Sequence, residues 1–196
     1  MRKGEARRAS SETNVFVSLD LDRGYQKDLE IDTGIPFFDH MLMQIARHGN
    51  LAIQIKAKGD LEIDMHHTVE DVGIVFGQAL DKALGDKAGI RRYGHARVPL
   101  DEALTDVVVD LSGRSFLFFD STFPSQKVGL FDTELVEEFL RAFAMNARLT
   151  LHVELVRGRN THHMIESLFK ALARSLREAI SKDPDIADIP SSKGQL

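Results

Sequence analysis

The chain has 196 residues, 43% of them hydrophobic, with a formal net charge of −5 and a pI near 5.9. That length and apolar content supply a core for one compact domain or two small fused halves. The acidic balance argues against a general nucleic-acid binder, whose phosphate-facing surface is basic, and the absence of cysteine rules out disulfides and thiolate metal sites and fits a reducing cytoplasm.

The opening MRKGEARRASSETN is charged and lacks the apolar core of a signal peptide. No apolar run approaches the roughly 20 residues of a membrane span. TNVFVSLDLD alternates and is β-branched, so it reads as a strand. PFFDHMLMQIARHG carries apolar residues at helical spacing, NLAIQIKAKG alternates again, and HHTVEDVGIVFGQALDKALG reads as a long amphipathic helix. The second half repeats this order with the strand TDVVVDLSG, the helix ELVEEFLRAFAMNA, the strand RLTLHVELVRG and the helix HHMIESLFKALARSLREAI, and each half reads coarsely as strand, strand, helix, strand, helix. KDPDIADIPSSKGQL is irregular.

The recurrence extends to individual residues. Gly4, Ala6, Arg7, Glu12, Val17, Asp20 and Leu21 recur 90 positions later as Gly94, Ala96, Arg97, Glu102, Val107, Asp110 and Leu111. The motif His-His-x-x-Glu occurs at His66, His67, Glu70 and again, 96 residues on, at His162, His163, Glu166. A repeat this long suits two fused half-domains related by a pseudo-twofold axis, 1–90 and 91–196, forming one unit. Strands followed by helices, twice, predict an α+β fold: a small, mostly antiparallel sheet in each half with helices on one face.

Adjacent helical residues point about 100° apart, whereas residues three apart share a face. His67 with Glu70 is therefore expected to hold one ion, and His163 with Glu166 a second. His66 and His162 are expected to cross to the other half's ion. Imidazole mixed with carboxylate suits Mn, Fe, Co, Ni or Zn. The repeat sets His40 opposite Glu138, which makes both candidate ligands. A lone His-His-x-x-Glu is better explained as a polar helix start; its duplication in register favours metal. His152, in an alternating strand opposite Gln54, reads as structural, and His95, opposite Glu5, as polar surface or interface.

Taken together, SSETN, FFDHMLMQIARHG, DMHHTVEDVGIVFGQAL, GIRRYGHARVPLDEAL, DLSGR, NTHHMIESLFKALARSLREA and PSSKG resemble the imidazoleglycerol-phosphate dehydratase family of histidine biosynthesis, over nearly the whole chain. The resemblance implies a duplicated fold like domain 2 of ribosomal protein S5, two Mn ions per active site, and a cytoplasmic homo-oligomer of 24 subunits built from trimers. It also implies a hydro-lyase that takes imidazole glycerol phosphate to imidazole acetol phosphate and water, with the imidazole held between two ions as imidazolate. On the same ground Glu12 is the base and Lys170 reaches the substrate. Gln44 and His48 line the pocket with His40. Arg92, Arg114, Ser191 and Lys193 take the phosphate, through two-pronged arginine forks, a lysine point charge and a hydroxyl-bearing turn. Many family members have histidine where this chain has Glu138, a change that favours harder ions.

Three other readings compete: a dinuclear phosphate-ester hydrolase, a metal-assembled scaffold, and an S5-like RNA binder. The hydrolase has no need of an azole-shaped gap between ions. The scaffold leaves Glu12, Arg92 and Lys193 idle. RNA binding is weakened by the low pI and the lack of a basic, aromatic face.

Overall fold

The structure is a computed structural model that describes residues 1–28 and 30–196. The first half runs β1 (Lys3–Ala9), β2 (Thr13–Asp20), β3 (Ile31–Asp32), α1 (Pro36–Gly49), β4 (Ala52–Gly59) and α2 (His66–Leu84). The second runs β5 (Tyr93–Leu100), β6 (Ala103–Asp110), β7 (Phe116–Asp120), β8 (Lys127–Val128), β9 (Phe131–Asp132), α3 (Leu135–Asn146), β10 (Thr150–Arg157) and α4 (Thr161–Ile180). The sheets have corresponding strand orders, β1-β2-β4-β3 and β5-β6-β10-β7. In each, three strands are antiparallel and the short edge strand, β3 or β7, runs parallel to its neighbour. The β8–β9 hairpin occurs in the second half alone, among the described residues.

Alternation explains which face of each sheet is buried. Val15, Val17, Leu19, Ile53 and Ile55 point inward from the first sheet, and Val107, Val109, Leu151 and Val153 from the second. The helices cover those inner faces. α2 lies on β1 and β2, α4 lies on β5 and β6, and the helices also pair across the halves, α1 with α4 and α2 with α3. One apolar cluster therefore runs through both halves, with Phe38, Phe76, Phe139, Phe143 and Phe169 buried in it. The α+β arrangement with helices on one face is the one expected from the sequence.

The repeated glycine pair has a packing cause. A Cβ on Gly4 would overlap the Ala79 carbonyl oxygen of α2, and one on Gly94 would overlap the Ser175 carbonyl oxygen of α4. Each first strand thus lies directly on the backbone of its half's last helix, where only glycine fits. This contact, together with the pairing of α1 with α4, fixes where the histidine-bearing first turns of α2 and α4 sit.

Candidate metal and substrate site

α4 starts at a capped end. The Asn160 side chain accepts the His163 backbone N–H at 3.2 Å, satisfying one of the free donors of the first turn. The turn so held directs His162 and His163 apart, their rings 89° from parallel. His162 Nε2 lies 3.0 Å from Glu166 Oε2. From α1, His40 Nε2 approaches the same oxygen at 3.3 Å. Lys170 Nζ reaches the other carboxylate oxygen, Oε1, at 2.7 Å. Among the described residues, His40, His162 and Glu166 form the one group of three metal-ligating side chains whose ligand atoms all lie within 4.8 Å of one another.

The side-chain contacts run differently from the ion pairing expected from spacing. His162, not His163, contacts Glu166, and His66, not His67, lies toward Glu70, at 3.9 Å. Positions three and four apart both share a helix face, and other carboxylates decide between them. Asp60 takes His67, with Nδ1 3.0 Å from Oδ2, and Glu102 takes His163, with Nδ1 2.8 Å from Oε2. An ionised carboxylate only accepts, so each Nδ1 carries the proton and Nε2 keeps the ring's lone pair in the neutral form. A carboxylate behind a ligating imidazole fixes its tautomer and raises its basicity. His67 and His163 are thus prepared as ligands but stand apart from the three-residue group.

The electrostatics follow from these contacts. Burial acts to raise the Glu166 pKa, but hydrogen bonds from Lys170, His162 and His40 outweigh it and hold the carboxyl at about 2. Glu102 is also held at about 2, first by His163 and then by the backbone N–H groups of Asn160 and Arg159. Glu12 is half-exposed, with Oε2 3.9 Å from His67 Nδ1. Near it, buried Asp71 accepts from Thr13 Oγ1 and pairs with Arg8 at 2.7 Å, which ties together β1 and β2 on either side of the turn that carries Glu12.

On α1, Gln44 is buried with its amide beside the His40 ring, and His48 lies one turn further. Burial lowers the His48 pKa, and the charges of Lys170, Arg47 and Arg174 lower it further, so the ring is neutral at pH 7. Glu138 sits in the first turn of α3, which packs on α2, as His40 sits in α1 packed on α4.

The anion-binding candidates gather around the chain's end. Arg92 donates to Asp110 through Nε (2.7 Å) and Nη2 (3.2 Å) and to the Pro190 carbonyl through Nη1 (2.9 Å). Its side chain is only 11% exposed, whereas that of Arg114 is 68% exposed. Ser191 Oγ accepts the Lys193 backbone N–H and the Ser191 carbonyl accepts the Gly194 N–H, closing a turn. Leu196 lies against Gly113, where a Cβ would collide with it, so the tail folds back onto the turn that carries Arg114. The tail therefore touches the Arg92 guanidinium through Pro190 and the Gly113 turn beside Arg114 through Leu196.

Sequence reasoning missed Asp60, Asp110 and the Asp71–Thr13–Arg8 network. Asp110 had a signal, its recurrence as Asp20; Asp60 had none beyond lying six residues before the first histidine pair. His152 stacks on Phe118 and His95 bonds Asp106 at 2.7 Å, both on the exposed face of the second sheet.

A sequence model of the family described as imidazoleglycerol-phosphate dehydratase matches residues 33–176. The chain is 57% identical over 195 residues to the imidazoleglycerol-phosphate dehydratase of Symbiobacterium thermophilum, covering all of this chain and 93% of that one. It is 56% identical over 196 residues to that of Streptococcus thermophilus, covering both in full. The crystal structure of the Staphylococcus aureus enzyme superposes with a TM-score of 0.83 at 44% identity, over 92% of this chain and 99% of that one. The Pyrococcus furiosus structure also gives 0.83, at 34% identity, over 97% and 99%. With the fold, the doubled His-His-x-x-Glu helices and these full-length likenesses agreeing, the chain belongs to the imidazoleglycerol-phosphate dehydratase family.

Proposed function

We infer that the chain dehydrates imidazole glycerol phosphate to imidazole acetol phosphate, a step of histidine biosynthesis. The observation that carries this reading is the convergence of His40 Nε2 and His162 Nε2 on one oxygen of Glu166 in a member of this family. Two imidazoles and a carboxylate, with no thiolate, fit a divalent first-row ion, and Mn is the one we assign. Such an ion would supply Lewis acidity toward the imidazole nitrogens of the substrate.

The duplication supports a second set, His66, Glu70 and Glu138, related to His162, Glu166 and His40 by the repeat. We take 1–90 and 91–196 as the two fused halves, so each set draws one ligand from the opposite half. His67 and His163 are left to serve a neighbouring copy, which supports a homo-oligomer; the 24 subunits built from trimers and the cytoplasmic location are what the family resemblance adds. Glu12, beside His67, is the base for the C–H proton. Lys170 holds Glu166 and faces the substrate, Gln44 and His48 line the groove, and Arg114, Ser191 and Lys193 receive the phosphate above Arg92.

Calorimetry with an imidazole- or triazole-bearing phosphonate tests this reading. Tight binding by metal-loaded protein, lost on chelation, is expected. Indifference to the azole would favour a hydrolase or a scaffold.

A further inference from the structure

Asp110 stands at the end of β6, where the second sheet meets the C-terminal tail, and its carboxylate serves both arginines of that region. It accepts two hydrogen bonds from Arg92, and its Oδ2 lies 3.8 Å from Arg114 Nη2. Arg92 uses its remaining arm on the Pro190 carbonyl, one residue before the Ser191–Gly194 turn. Its backbone adopts φ +73°, a left-handed conformation that costs a non-glycine residue energy and persists where the surroundings impose it. Those surroundings are backbone bonds between the 89–92 loop and the last turn of α4 together with the chain after it. Gly89 N donates to Asp188 O at 2.8 Å, Asp183 N to Gly89 O at 3.0 Å, and Arg92 N to Ala179 O at 2.9 Å. The arginine is thus held at both its backbone and its guanidinium, and the tail hangs from it.

We propose that Asp110 is a positioning residue for phosphate capture: by fixing the Arg92 fork it holds Pro190, and so the Ser191–Lys193 turn, over Arg114. The relation rests on the phosphate assignment above. Without Asp110, Arg92 keeps its charge but loses the fixed fork that aims its third N–H at Pro190. The Ser191–Lys193 turn then has to be ordered by the substrate itself, and binding weakens. The chemistry at the imidazole end is untouched, because Asp110 contacts none of His40, His162, Glu166 or Glu12.

The test is D110N in the metal-loaded protein, with D110E as the conservative variant. In D110N, KM for imidazole glycerol phosphate should rise about tenfold, as for loss of one charge-assisted contact, with kcat and metal content near wild type. Trypsin should cut after Lys193 faster than in wild type, inorganic phosphate should protect wild type more than D110N, and D110E should recover part of each effect. Wild-type cleavage and wild-type KM in D110N would overturn the proposal, as would a fall in metal content and kcat with KM unchanged. Should D110N not fold, R92K retains charge without the fork, and unchanged cleavage and KM there would overturn it equally. If R114A leaves KM unchanged and phosphate protects nothing, the phosphate assignment falls; faster cleavage of D110N would then still show the latch.

Discussion

His163 Nδ1 lies 2.8 Å from Glu102 Oε2, and that contact decides which histidine of the second pair stays with Glu166. The ring is turned away from the helix face shared by His162 and Glu166 and is held in the tautomer that a metal ligand needs.

Glu102→Gln should therefore act on metal without touching a ligand. Loss of such a supporting carboxylate costs about 10–100-fold in metal affinity. Competition with a chelator would measure it, and an unchanged affinity would show that the Glu102–His163 pair does not tune metal binding.

The same pair sets a pH window in metal-free protein. Glu102 is shifted from 4.5 down to about 2, chiefly by His163, so its contribution to stability is present above pH 4.5 and fades as the pH falls toward 2. His163 is shifted upward from 6.5, chiefly by Glu102, so its contribution is full below pH 6.5 and is lost as the pH rises through the raised value. Both apply between pH 4.5 and 6.5. Thermal melts of chelated Glu102→Gln should show their largest deficit in that window and a smaller one in alkaline buffer. A deficit that grows with pH would contradict the assignment.

Gly94→Ala should destabilise the fold away from the first turn of α4, where His162 and Glu166 sit. Its Cβ would overlap the Ser175 carbonyl oxygen, which is backbone and cannot swing aside. Overpacking of this kind costs about 1–3 kcal/mol. Denaturant midpoints would show it, and Gly4→Ala should behave alike against Ala79.

The repeat, the sheets and the four helices were legible in the sequence because their periodicity is set by burial, which acts on every second or fourth residue. The short strands β3 and β7 and the β8–β9 hairpin were not, since two to five residues carry too little pattern. His40, His162 and Glu166 were legible as candidate ligands, but their grouping was not. His66 and His67 lie at four and three residues from Glu70, both within reach on a helix, and Asp60 settles the choice from outside the motif. Arg92 read as a ligand for phosphate by its charge; that three of its N–H groups are engaged by Asp110 and Pro190 depends on how the tail folds back.

Glu12→Gln should separate chemistry from binding. The amide preserves shape and cannot take the proton, so kcat should fall about 10²–10⁴-fold with metal content and KM nearly intact. Arg114→Ala and Lys193→Ala should instead raise KM, because contacts to the phosphate are made in ground and transition states alike. Steady-state kinetics on the three variants would show the contrast, and a wild-type rate in Glu12→Gln would assign the base elsewhere.

The most direct measurement is turnover of imidazole glycerol phosphate by the purified protein, with elemental analysis of the same sample, before chelation, after it, and after Mn is restored. Imidazole acetol phosphate should form in the metal-loaded sample, cease on chelation and return with Mn. Full metal content without turnover, or turnover that survives complete removal of metal, would contradict a metal-dependent dehydratase built on His40, His162 and Glu166.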